Sequence, residues 1–350
     1  MSPVLAAVRA PAVRAARAER VYLAVYLPLV IPVPAALAAR PLADRLAPAT
    51  ATWLLAASSL ALALASSAVL GLLALSALVR IPFVATIAKM SVPVFSRGDT
   101  VSVPVEIAAG ALLAAAATAA VLALWRRGIA IFAAGRQARR LPGSGQIVVT
   151  EDEAADAYTL PGWPCRVVIT SGMLRALSAQ ERAVLLAHER SHAAGSHYLF
   201  TSAARLAAAA NPLLRPLAAQ VGYTVERWAD ERAAAATGDR PLTARAIARA
   251  ALATSAAPPD PDTRAAPLTA LGIVTAPDHG TYEARHRVRP PGLRGAGPVP
   301  RRVAALLAPP PRTRLLLLGV AVALVVLSGL CALDAAHSLH ALVEQAQGGA

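Results

Sequence analysis

The chain has 350 residues, 56% of them hydrophobic and only 15% charged, against a charged share near ~25% in ordinary soluble domains, which argues against a wholly water-soluble globule. Its net charge of +14 and pI near 11.2 come almost entirely from arginine, with Lys89 the single lysine. The arginines are dispersed and many border apolar stretches, which points to anionic lipid headgroups and away from nucleic acid, for which no motif is present.

In chain order, residues 1–20 form a basic tail carrying Arg9, Arg14, Arg17 and Arg20. No small-residue cleavage site follows that would make it a signal peptide. Residues 21–125 read as a three-helix membrane region. Charge-free stretches at 21–39, 52–79 and 107–125, with a fourth at 315–333, are each long enough for a hydrocarbon core of about 30 Å. The first contains Pro28, Pro32 and Pro34 and should be kinked; the second exceeds a span and should tilt or protrude. The two cysteines, Cys165 in the polar half and Cys331 in the last apolar stretch, are expected as free thiols.

Residues 126–257 are polar and of mixed pattern. They are flanked by Arg126, Arg127, Arg136, Arg139 and Arg140 before and Arg301, Arg302, Arg312 and Arg314 after. By the positive-inside tendency this places them in the cytoplasm of a multi-pass plasma-membrane protein, although the arginines of the N-terminal tail pull the other way. The β-branched runs 146–150 (QIVVT) and 166–170 (RVVIT) predict two strands of a small sheet, the second offering an exposed edge to an extended substrate. Ser178-Ala179-Gln180-Glu181 is a capping box and opens a helix.

That helix carries His188-Glu189-Arg190-Ser191-His192. Two histidines at i and i+4 share one helix face and can converge on one Zn2+, with Glu189 beside the metal as general base. Val184, Leu185 and Leu186 predict a half-buried helix, in which a histidine pair beside a carboxylate is costly unless paired or metal-bound. A third ligand leaves one coordination position open. Glu226, followed one turn later by Asp230, can complete the set, with Asp230 orienting an imidazole N–H. Thr224 is the expected N-cap of their helix and Gly238 its stop. A rival ligand, His197, falls one residue short of the metzincin spacing, which requires position 198, occupied by Tyr198, and Met1, Met90 and Met173 all precede the site. His197 is therefore expected at a surface or interface.

Residues 258–311 contain 12 of the 28 prolines and should form an extended linker or lid at the cleft mouth, with room for a short helix near 302–307. Residues 312–350 supply the last span and a short tail. His279, Tyr282, His286 and Arg302 are candidates for stabilising an oxyanion.

The sequence PGWPCRVVITSGMLRALSAQERAVLLAHERSH, the apolar segment with Asn211-Pro212, and VERWADERAA resemble the zinc peptidase domain of the BlaR/MecR-type antirepressor family, and more distantly the membrane CAAX-protease and heat-shock-protease X group. The likeness is good over 146–237 and loose over 81–311. It implies a mostly α membrane protein with an inserted α+β, zincin-like (gluzincin) domain. It also implies His188, His192 and Glu226 as Zn2+ ligands, Glu189 as base and Asp230 as the partner behind a ligand. Sensor members continue past the last span into a penicillin-binding domain, whereas this chain ends 17 residues after Leu333, so no beta-lactam sensor is expected. The resulting expectation is a membrane-bound zinc endopeptidase with a protein or peptide substrate, a transcriptional repressor among the candidates, and membrane lipids as neighbours. The competing expectation is a non-catalytic signalling or scaffold protein of the same fold, for which Glu189 would have no use.

Overall fold

A computed structural model describes residues 26–79, 102–162, 165–256, 271–272, 297–309 and 315–348. The chain is mostly helical with a small mixed sheet. Three helices among the described residues are long and apolar enough to span a membrane: α2 (Pro48–Val79), α3 (Val103–Arg140) and α10 (Leu315–Gly348). The expected span at 21–39 is not among them. Its first residues lie outside the described ones, and a turn at Ile31, which keeps helical backbone angles, leads into α1 (Pro32–Arg45), which carries Arg40, Asp44 and Arg45. Prolines at 32 and 34 remove amide donors and suit the first turn of a new helix better than the middle of an old one. Helix α3 runs through Arg126 to Arg140 without a break, so the third span is continuous with the start of the polar region.

Strands β1 (Ile147–Thr150), β2 (Ala157–Leu160) and β3 (Arg166–Thr170) follow. The order is β1-β3-β2, with two-residue β4 (Leu271–Gly272) beyond β2. β3 pairs parallel with β1 and antiparallel with β2. This corrects the expectation of an exposed edge at 166–170: β3 is central and buried along its whole length, as a continuous apolar, β-branched run suits a strand covered on both sides. β2 was not anticipated, because its AYTL run sits between an acidic stretch and Pro161-Gly162.

Then come α4 (Ser171–Ala176), α5 (Ala179–Ala194), α6 (His197–Ala210), a 3-10 turn (Pro212–Leu214), α7 (Arg215–Thr237), α8 (Arg240–Ala256) and α9 (Pro298–Leu307). The predicted capping box is present: Ser178 Oγ accepts from Glu181 N at 3.4 Å while Ser178 N donates to Glu181 Oε2 at 2.9 Å. Gly238 ends α7 at φ 69°, in the left-handed region that favours glycine. Thr224, by contrast, caps nothing. The helix begins nine residues earlier, at Arg215, and Thr224 is buried within it, its Oγ1 3.0 Å from that of Thr52 on α2.

The two largest apolar cores among the described residues frame the site. One joins α1, α2, α6 and the first half of α7 through Leu46, Leu55, Leu62, Leu214, Leu217 and Val221. The other joins β3, α4, α5, α8 and α9 through Ile169, Met173, Leu185, Ile247 and Leu306. Helix α7 contributes to both, with Val225 in the first and Ala234 in the second. Glu226 and Asp230 therefore lie where the two cores meet.

Candidate metal centre

Leu185 anchors α5 in the second core and Val184 packs against Ala233 of α7 and Ala246 of α8, and one and two turns later His188, Glu189 and His192 are fully or almost fully buried on the same helix. The i and i+4 spacing stacks the two imidazoles, with Nε2 atoms 3.0 Å apart. Helix α7 brings Glu226 against them: Oε2 lies 3.5 Å from His188 Nε2 and Oε1 3.5 Å from His192 Nε2. The three residues form a buried group that could hold a metal ion.

The fit is testable on the donor set. Ligand atoms about 2.0–2.1 Å from a tetrahedral ion are about 3.3 Å apart, between the 3.0 and 3.5 Å separations found here. Glu226 Oε1 is buried with no hydrogen-bond partner, and a buried acceptor without a donor is expensive. Two imidazole lone pairs and such a carboxylate suit a borderline-soft divalent cation. The residues therefore fit a metal.

Each member of the centre is held from behind. His188 Nδ1 lies 3.0 Å from Asp230 Oδ1, the contact expected from the four-residue offset between Glu226 and Asp230. Arg302 of α9 grips Asp230 with two donors, Nε to Oδ2 at 2.8 Å and Nη2 to Oδ1 at 2.6 Å, and places Nη1 3.0 Å from Glu226 Oε2. Arg302 was a sequence candidate for an oxyanion; it reaches the site, but it faces the carboxylates. His279, Tyr282 and His286 lie outside the described residues.

His197 departs from expectation. It is fully buried, not at a surface, with Nδ1 2.9 Å from His192 Nδ1 and its ring 4.7 Å from that of Trp228. It thus stands behind His192 much as Asp230 stands behind His188. Ser196 adopts φ 46° to start the next helix, and a Cβ on Gly195 would run into the His197 ring. The HAAGSH run holds the signal: a small residue followed by a histidine beside the ligand turn.

Glu189 is fixed by Thr159 of β2, which donates to its Oε2 at 2.8 Å. Its Oε1 is buried with no hydrogen-bond partner. Burial, opposed by nearby His188 and the Thr159 bond, raises its pKa to about 8. Burial pulls His188 the other way, but Asp230 and Glu226 outweigh it and hold its pKa at about 9. Asp230 is driven down to about 2, the cost of burial being overcome chiefly by Arg302. His192 is depressed by burial and by His188, and His197 falls to about 4 by burial and the same neighbour. The pocket thus favours one cationic group at the His188 position and neutral imidazoles beside it, the charge pattern that a bound cation would satisfy.

Residues 129–220 match the model of Peptidase family M48. The match supports a metallopeptidase. It contains His188 to His192 and His197, whereas Glu226, Asp230 and Arg302 lie past its end. No curated protein and no solved structure matches the chain.

Proposed function

We propose that this chain is a membrane-bound zinc endopeptidase in which His188, His192 and Glu226 hold the metal and Glu189 is the general base. The observation that carries this reading is the convergence, in one buried pocket, of an i, i+4 histidine pair and a carboxylate from a second helix, with a further carboxylate one residue from the first ligand.

Zinc, when bound, supplies Lewis acidity that polarises a carbonyl and acidifies water. The protein does the rest. Glu189 Oε2 is fixed by Thr159, so Oε1 is the oxygen that takes a proton from the water attacking the scissile carbonyl. As the water oxygen bonds to carbon and the C–N bond breaks, the proton passes from Oε1 to the departing amine nitrogen. Asp230 holds His188 by Nδ1, leaving Nε2 as its inward lone pair. Arg302 keeps Asp230 ionised and balances Glu226.

The substrate is a protein or peptide reached at the cytoplasmic face of the plasma membrane, and a repressor in the manner of BlaR/MecR-type antirepressors is the specific candidate. The arginines flanking residues 126–257 support that orientation. The test is to express Glu189→Gln in cells and compare full-length cytoplasmic and membrane proteins with those of the wild type. Accumulation of an uncleaved protein, with zinc content unchanged in the purified variant, supports the reading; absence of zinc from the wild-type protein after gentle purification and zinc addition overturns it.

A further inference from the structure

Away from the metal centre, α1, α7 and α9 line an open cleft of about 580 Å³, within the range of small-ligand pockets. Its wall carries Arg40, Arg45, Arg227 and Arg301 against one carboxylate, Asp44, with Tyr223 as an aromatic face. Arg227 is almost completely buried. Its Nη1 donates to Ala43 O at 2.6 Å, while its Nε is buried with no hydrogen-bond partner. Arg301 lies over the Tyr223 ring, its Cζ 3.9 Å from the centroid, and its Nη2 reaches Asp44 Oδ1 at 2.6 Å. One carboxylate among four guanidinium groups leaves a strong excess of positive charge in a concave site, and guanidinium is the group that matches phosphate oxygens two at a time.

The location selects the source of the phosphate. Arg45 ends α1 three residues before Pro48 opens the span α2, and Leu317 and Leu318 at the start of the span α10 pack against the core formed by α1 and α2. The cleft thus lies beside the N-terminal ends of two candidate spans, α2 and α10, where lipid headgroups would be within reach of its arginines. We propose that it binds the phosphate of an anionic phospholipid from the adjoining leaflet. Because Arg301 and Arg302 are consecutive on α9, a headgroup held by Arg301 also steadies the helix that delivers Arg302 to Asp230.

The full-length protein in zwitterionic detergent can be titrated with fluorescent phosphatidylglycerol, fluorescent phosphatidylcholine and, as competitor, inorganic phosphate. Phosphatidylglycerol should bind at least about tenfold more tightly than phosphatidylcholine, with each lost arginine weakening it about fivefold. Arg301→Gln and the exposed pair Arg40→Gln with Arg45→Gln test this without touching the metal centre. Arg227→Gln is the deepest probe, and the exposed pair stands in for it if that variant does not fold. The control is Arg139→Gln with Arg140→Gln, which removes the same charge outside the cavity. Equal losses in the control and cavity variants would overturn the site, as would full displacement by inorganic phosphate at equal molarity or tighter binding of an acidic peptide. Slower hydrogen exchange in residues 298–307 on adding phosphatidylglycerol is the expected sign that α9 is steadied; unchanged exchange with bound lipid overturns that link.

Discussion

His188 and His192 reach the centre from one turn of α5, whereas Asp230 and Arg302 meet across 72 positions of sequence and from two different helices. The first half needs only helical periodicity: once α5 forms, its two imidazoles are neighbours. The second half exists only when α7 and α9 are packed together. The histidine pair is therefore a local property of this chain, while the third proposed ligand, Glu226, and the charge balance around it are tertiary. Damage to the two halves should look different in the laboratory.

The largest effects should come from the ligands themselves and should separate metal from chemistry. His188→Ala or Glu226→Ala is expected to abolish zinc retention and peptide cleavage together. Glu189→Gln should retain about one zinc per chain and lose about 10²–10⁴-fold in kcat. Zinc analysis alongside cleavage of an unstructured peptide checks both. Full metal affinity in Glu226→Ala would break the division drawn here and turn attention to His197.

Next comes the tertiary half. Replacing Arg302 with Met leaves the Glu226 and Asp230 carboxylates buried without their cation, and losing one partner of a buried pair costs about 3–5 kcal/mol. The metal-free protein should therefore lose more stability than the zinc-loaded one, since bound metal restores positive charge beside Glu226. Chemical denaturation of both forms decides this; equal losses would mean that Arg302 serves packing and not charge. Asp230→Asn should weaken zinc affinity or activity about 10–100-fold.

A smaller effect is expected at His197. His197→Phe keeps the ring against Trp228 and removes the nitrogen 2.9 Å from His192 Nδ1. Zinc affinity should fall by about tenfold, the low end for a partner behind a ligand, with cleavage restored by excess zinc. An unchanged affinity would show that His192 needs no hydrogen-bond partner and that the two histidines of α5 are held differently.

The same division explains what could be read before folding. The two strands at 147–150 and 166–170, the capping box, the histidine pair, the Glu226–Asp230 spacing and the Gly238 stop are all set by neighbours within a few residues, and each is present. What escaped depends on distant partners. β2 is stabilised by pairing with β3, which a four-residue run between acidic and proline-rich stretches does not advertise. Thr224 has the chemistry of a cap, but its hydroxyl meets Thr52 across 172 positions. His197 is polar and lies two residues after Gly195, signals of a surface turn, yet Trp228 from α7 packs against it. The apolar run at 21–39 lies partly outside the described residues, and its second half belongs to α1, which continues through Arg40, Asp44 and Arg45.

The smallest expected effect tests whether the histidine pair is as self-contained as its geometry suggests. Ser178→Ala removes the side-chain acceptor from Glu181 N while leaving the histidines ten and fourteen residues downstream untouched. Loss of a serine N-cap costs about 1 kcal/mol. Glu181 is also paired with Arg249 of α8 at 2.7 Å, so its side chain remains tethered after the substitution and the first turn of α5 is not released completely. Val184 and Leu185, both about 1% exposed, still lock the second turn into place. The variant should therefore unfold slightly more easily, with a drop of about 1 kcal/mol in denaturant titration, and keep zinc affinity and kcat unchanged. A loss of zinc affinity larger than the loss of stability would mean that the position of His188 and His192 is set from the helix start, and that the local half of the centre is not local after all.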